Sequence, residues 1–212
     1  MKRLISFISI SIFIIGISHE AHAREVWERV WTPETTQEIY DEFTDLDRES
    51  KFKLIQRTAI YYHVVGEKQF LIDLNQKPRS LYESVTRTYT HYSNAVSCER
   101  DMFLTHPVVK KIVGKKGLFT SFKDAKGLSV GLGLCNRIKA HPKGAAVKID
   151  FFSAGVTGTM QQYFVGIKVP GTDVIMTTYF NIPDKSVEEV ETMMMNWHLP
   201  TYNRLYEQME TK

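Results

Sequence analysis

Gly127-Leu128-Ser129-Val130-Gly131 has the G-x-S-x-G spacing in which a serine hydroxyl can act as a nucleophile. That chemistry needs the serine on a sharp turn between an apolar strand and a helix, with a histidine and an acid behind it. His141 and His198 are candidate bases, and Asp150, Asp173 and Asp184 are candidate acids. The residues before the motif, Lys123-Asp124-Ala125-Lys126, read as a polar turn and not as a strand, which makes a serine hydrolase the lesser reading. Beyond residue 23 the histidines are His63, His91, His106, His141 and His198, and none falls in an H-E-x-x-H or comparable metal spacing. No cofactor or metal is expected. Cys98 and Cys135 lack a C-x-x-C spacing, which argues against a zinc knuckle or a thioredoxin-like site. In an oxidising compartment they could close a loop of 37 residues as a disulfide; two separate buried thiols are the alternative.

The compartment is suggested by the first residues. Lys2 and Arg3 precede an apolar run from Leu4 to Ile17, and Ala21-His22-Ala23 is an A-x-A cleavage site. That layout predicts a signal peptide over 1–23. The apolar run is shorter than the roughly 20 residues of a spanning helix, so a retained N-terminal anchor is the rival reading. Removal of Lys2, Arg3 and Glu20 takes the formal charge from +3 to +2 for a single domain over 24–212. A nearly neutral chain without a basic stripe gives no reason to invoke nucleic acid. No later segment reads as a membrane span. The expectation is one periplasmic or secreted domain, long enough to bury a full core.

The elements that must position these residues follow from periodicity. Thr32-Pro33-Glu34 reads as an N-cap, a first-turn proline and an acidic first turn, opening a helical region over 32–76. Ile39, Phe43 and Leu46 form one apolar stripe, Leu54, Ile55, Ala59 and Tyr62 another, and Gly66 marks a break. A sheet region over 85–182 follows, with strands at Val85–Val96, Asp101–Pro107 and Ala145–Phe152. Its last hairpin is "YFVGIKVPGTDVIMTTYF", in which Tyr163, Val165, Ile167 and Val169 alternate before the turn and Val174, Met176, Thr178 and Phe180 after it. Pro170 and Gly171 suit the two central positions of a type II turn. Leu128–Ala140 predicts an inserted helix. Ser186 caps a C-terminal helix over 186–210, with Val187, Val190, Met194 and Trp197 on one face; Pro200 breaks or kinks it. The fold class is α+β: a long N-terminal helix on an antiparallel sheet with an inserted helix, then a C-terminal helix. Helices on one face of such a sheet leave room for a pocket between it and its loops.

Five stretches in this order resemble the Cache family, the PAS-like extracytoplasmic ligand-sensing domains of bacterial receptors, and most nearly its single-module type. They are "GEKQFLIDLNQ", "NAVSCERDMFLTHPVVKKIVGKKG", "FKDAKGL", "AHPKGAAVKIDFF" and "QQYFVGIKVPGTDVIMTTYF", running from about Gly66 to Phe180. They look like the end of the family's long helix, its first hairpin, the Asp-x-x-Gly turn before its inserted helix, its Gly-started strand and its last hairpin. The chain departs from the pattern in two places. The Gly-x-Tyr near the end of the last strand is out of register around Thr177-Thr178-Tyr179, and no Trp stands near Ala146.

The resemblance implies a pocket between sheet and loops, on the long-helix side of the sheet, for a small organic anion or amino acid, with His106-Pro107 near its rim. Tyr89, His91, His106, Tyr163 and Tyr179 are the expected wall, because phenol and imidazole groups orient a ligand while their rings exclude water. Arg87 or Arg137 would pair with a ligand carboxylate. The family's usual transmembrane and cytoplasmic segments have no counterpart here, so a stand-alone binding domain that meets a membrane receptor or sensor protein is expected. The alternative is a protein-interaction module whose pocket is vestigial and filled by its own side chains.

Overall fold

Phe52, Ile55, Ala59 and Tyr62 recur at three- and four-residue spacing and are each no more than 5 % exposed, which gives the first helix one buried face. In the computed structural model, which describes residues 48–76, 93–106, 109–152, 159–182 and 184–210, this helix is α1, Arg48–Gln76. The expected signal peptide, the helix start at Thr32, the stripe Ile39, Phe43 and Leu46, and the strand's first part from Val85 lie outside those residues. Gly66, at φ 77° and ψ 160°, interrupts the α conformation where the sequence marks a break. Phe70 and Leu74 then return the second half to the same core.

Five strands follow: β1 (Asn94–Ser97), β2 (Met102–Thr105), β3 (Ala145–Phe152), β4 (Thr159–Lys168) and β5 (Val174–Phe180). They form one antiparallel sheet in the order β2-β1-β5-β4-β3, a PAS-like arrangement within an α+β fold. Between β2 and β3 lies α2 (Val130–Ala140), and after β5 come α3 (Val187–Met195) and α4 (Pro200–Glu210). Ser186 closes a capping box with Glu189 at the start of α3. Pro200 opens α4 and does not bend one long helix, because a residue without an N–H fits a first helical turn.

Strand pleating sends alternate side chains to opposite faces. On one face Tyr163, Val165, Ile167, Val174 and Met176 pack with α1, with Val190 and Met194 of α3, and with Tyr202 of α4. On the other, Val96, Phe164, Ile175 and Tyr179 pack against Leu134 and Ile138 of α2 and against Phe119 and Phe122 of the preceding loop. Both faces are therefore covered, where the sequence suggested helices on one. The inserted helix carries its own apolar stripe, Val130, Leu134 and Ile138, at i, i+4 and i+8, and lies opposite α1.

Edge strand β3 is closed by carboxylates: the Ala146 N–H donates to Glu191 Oε1 and the Asp150 N–H to Asp124 Oδ2, both at 3.0 Å. Cys98 and Cys135 are bonded, with Sγ–Sγ 2.04 Å and Cα–Cα 5.7 Å, tying the β1–β2 turn to the middle of α2. Among the described residues no helix is long and apolar enough to cross a membrane.

The last hairpin turns at Val169–Thr172, with the Thr172 N–H donating to the Val169 carbonyl at 3.2 Å and Gly171 at φ 73°. A Cβ on Gly171 would also lie 2.7 Å from Met209 Cε. Gly171→Val is expected to cost about 1–3 kcal/mol, the range for a strained backbone position. Urea unfolding checks this, and an unchanged midpoint would contradict the turn.

Candidate functional site

Tyr163 pairs with Phe180, and Tyr179 pairs with Phe164, so the two tyrosines lie on opposite faces of the sheet. Tyr163 is fully buried on the α1 side, its hydroxyl donating to the Lys185 carbonyl. Tyr179 lies on the α2 side with its ring 4.9 Å from that of Phe164, and burial pushes its phenol pKa up. One pocket cannot be walled by both. Arg137 reaches around edge strand β3: its Nε and Nη2 donate to Glu191 Oε1 and Oε2 at 2.8 and 2.6 Å. This fork already holds a carboxylate of its own chain and fastens α2 to α3; the same bonds raise its pKa. Arg87, Tyr89 and His91 lie outside the described residues.

Ser129 is the N-cap of α2, and His141 is the C-cap at the other end of that 11-residue helix. Twelve residue steps of 1.5 Å set them about 18 Å apart along the axis. His198 packs on Phe52 at a centroid distance of 5.4 Å, across the sheet from α2. Neither histidine is placed to take a proton from Ser129. Among the described residues, no group of three or more His, Cys, Asp or Glu is arranged to hold a metal ion.

What the structure does gather is a polar band on the α2 side of the sheet. Ala95 faces α1 and Val96 faces α2, so Asn94 shares the side of Val96. Its ladder partner is Thr177, which stands between Ile175 and Tyr179 on that same face. Asn94 is 0 % exposed, and among the described residues neither Nδ2 nor Oδ1 has a hydrogen-bond partner. The Thr177 hydroxyl is directed to the Asn94 backbone carbonyl at 3.4 Å and does not serve the amide. His106 follows Thr105, the last residue of β2 and the partner of Ala95, which places it next to Asn94 in register.

The His106 ring is buried 6.0 Å from that of Phe103, and its Nδ1 accepts from the Val109 N–H at 2.9 Å. That bond places the proton of the neutral ring on Nε2. Burial, with a smaller push from the Lys110 charge, lowers the His106 pKa to about 3. Lys110 in turn donates from Nζ to the Leu74 carbonyl at 3.1 Å, at the end of α1. The band thus consists of uncharged hydrogen-bonding side chains on a face also carrying Phe103 and Phe164. Sequence reasoning named His106 and Tyr179 but set their pocket between the long helix and the sheet, the opposite face, and it missed Asn94. The available signal was an Asn, a poor strand residue, in register with Val96.

A separate cleft of about 620 Å³ lies at the far end of the sheet, lined by Tyr62, Glu67, Lys168, Thr172, Asp173 and Tyr206 among others. Arg100 bridges two of its carboxylates, donating from Nη1 to Glu67 Oε1 at 2.5 Å and from Nε to Asp173 Oδ2 at 2.9 Å. Tyr62 adds a hydroxyl bond to Glu67 at 2.6 Å, and Ser97 one to Asp173. The Arg100 bond chiefly holds the Glu67 pKa low; for Asp173 burial pulls upward, but the Ser97 and Arg100 bonds outweigh it. The network pins α1, just past its Gly66 break, to the β4–β5 turn, so these carboxylates are engaged from within.

No family model matches the sequence, and no curated protein aligns with it. Among solved structures, the chain is similar to a Cache chemosensory domain described for carboxylic acid recognition, at 12 % identity and TM-score 0.45, covering 62 % of this chain and 88 % of that one. It is also similar to a periplasmic sensor domain of a chemotaxis protein, at 11 % identity and TM-score 0.43, covering 63 % of this chain and 89 % of that one. A third is a methyl-accepting chemotaxis protein from Vibrio parahaemolyticus, at 16 % identity and TM-score 0.39, covering 59 % and 78 %.

Proposed function

We propose that this chain is an extracytoplasmic small-molecule binding and sensing domain that takes its ligand on the α2 side of the sheet, around Asn94. The observation that carries the reading is the Asn94 amide, fully buried with neither polar atom partnered among the described residues. Buried polar groups in native proteins are nearly always hydrogen-bonded, and leaving one bare costs about 1–3 kcal/mol. A small polar metabolite of the amino-acid or organic-acid class would supply the missing partners, with Tyr179 and His106 beside it. Its occupancy would be read by a membrane receptor or sensor protein.

A thermal-shift screen of amino acids, carboxylates and their amides tests this, because a ligand specific to the folded state adds about 2.7 kcal/mol at a hundred times its dissociation constant. Asn94→Leu, similar in volume, is expected to abolish the shift. It should also stabilise the ligand-free protein by about 1–3 kcal/mol, since it removes an unpaired buried amide. A less stable Asn94→Leu protein would mean the amide is internally satisfied, and would contradict the reading. Phe119, Phe122 and Phe164 packed against the same face favour a second reading, the interaction module with a filled pocket. That reading takes over if no compound shifts the wild type.

A further inference from the structure

We infer that the part of the ligand that meets Asn94 is a carboxamide, or a group like it that presents a hydrogen-bond donor and an acceptor side by side, and is not a carboxylate. The inference rests on the binding reading above and narrows it. A primary amide offers two N–H donors on Nδ2 and an acceptor at Oδ1. In Asn94 both atoms are buried and, among the described residues, both lack partners, so whatever completes the site must accept from one and donate to the other. A carboxylate only accepts. It would serve Nδ2, leave Oδ1 bare and set a negative charge against that oxygen. A carboxamide closes both bonds at once, the complementarity by which Asn pairs bidentately with the donor–acceptor edge of adenine.

The surrounding charges agree. His106 is held neutral by burial in the β2 end of the band, so it adds no cation for an anion to meet. Lys110, the cation whose charge reaches His106, donates its ammonium to the Leu74 carbonyl at 3.1 Å. Arg137, the arginine of α2, grips Glu191 through both fork nitrogens. Nor does the neighbouring strand complete the amide, because the Thr177 hydroxyl is turned to the Asn94 backbone. Among the described residues, an uncharged ligand group that matches the amide atom for atom therefore fits the band better than an ionised acid.

The test compares matched pairs that differ only at the end group: glutamine with glutamate, asparagine with aspartate, and propionamide with propionate. Each is titrated into the full chain by thermal shift and calorimetry at pH 7.5. In at least one pair the amide is expected to bind about 10- to 100-fold more tightly than the acid, the equivalent of one unmet buried hydrogen bond. Asn94→Leu should erase that difference, and Asn94→Asp, which offers acceptors only, should lose the amide. If an acid member binds as well as its amide and Asn94→Leu loses both, the carboxamide inference is overturned while the binding reading stands. If no pair binds, the inference fails. The binding reading fails with it only where Asn94→Leu is also less stable than the wild type.

Discussion

Lowering the pH from 6.5 to 5 is expected to destabilise the folded protein by about 2 kcal/mol, and the loss is expected to grow to about 4 kcal/mol by pH 3. The cause is His106. Its ring is 1 % exposed and its Nδ1 accepts from the Val109 N–H, so it is held neutral in the folded state. Its folded pKa lies at about 3 against an ordinary value of 6.5, chiefly through burial and then through Lys110. Between those values the unfolded chain binds a proton that the folded chain refuses. Stability is therefore complete above about pH 6.5 and falls as the pH drops through the window. His198, whose pKa is also lowered chiefly by burial, adds in the same sense. Below the usual carboxylate range, protonation of Glu67 and Asp173 also undoes the Arg100 network. Urea unfolding at pH 7.5, 6.5 and 5 checks the slope. His106→Asn keeps an acceptor for the Val109 N–H but cannot titrate, and should flatten most of it. A wild-type profile already flat over this range would contradict a buried neutral His106.

Loss of the Cys98–Cys135 bond is expected to lower stability by about 3–4 kcal/mol, the chain-entropy value for a loop of this length. The bond joins residues 37 apart and holds the middle of α2 to the turn after β1, only four residues beyond Asn94. A double Cys98→Ser, Cys135→Ser variant should show a lower urea midpoint, and ligand shifts should weaken because the roof over the polar band is no longer tethered. Equal midpoints for the variant and the oxidised wild type would show that the cross-link constrains nothing that packing does not already hold.

Most of the frame was legible because it is written locally. Strand β3 follows the eight residues Ala145–Phe152, the Ser186 cap carries its Glu189 partner three residues on, and Gly66 breaks α1. The faces of the two tyrosines were also legible, although the sequence reading grouped them in one wall. The turn anchors Val169 opposite Val174, so odd residues of β4 face even residues of β5, and Tyr163 must meet Phe180. Other features depend on distant partners. Arg137 looks like a ligand-binding cation until Glu191, 54 residues away, is folded around the edge of β3. Asn94 looks like a strand boundary until both of its neighbours in the sheet are in place and its amide is found buried. At Pro200, of the break and the kink that the sequence allows, the structure has the break, with a new helix opening at the proline.

Native mass spectrometry of the full chain, purified gently from its own host, tests most directly whether this protein is a small-molecule binder. The account predicts a wild-type species heavier than the bare chain by the mass of one small metabolite, which mild activation releases, and an Asn94→Leu species at the bare-chain mass. Wild type and Asn94→Leu both at the bare-chain mass, with Asn94→Leu the less stable of the two, would contradict it.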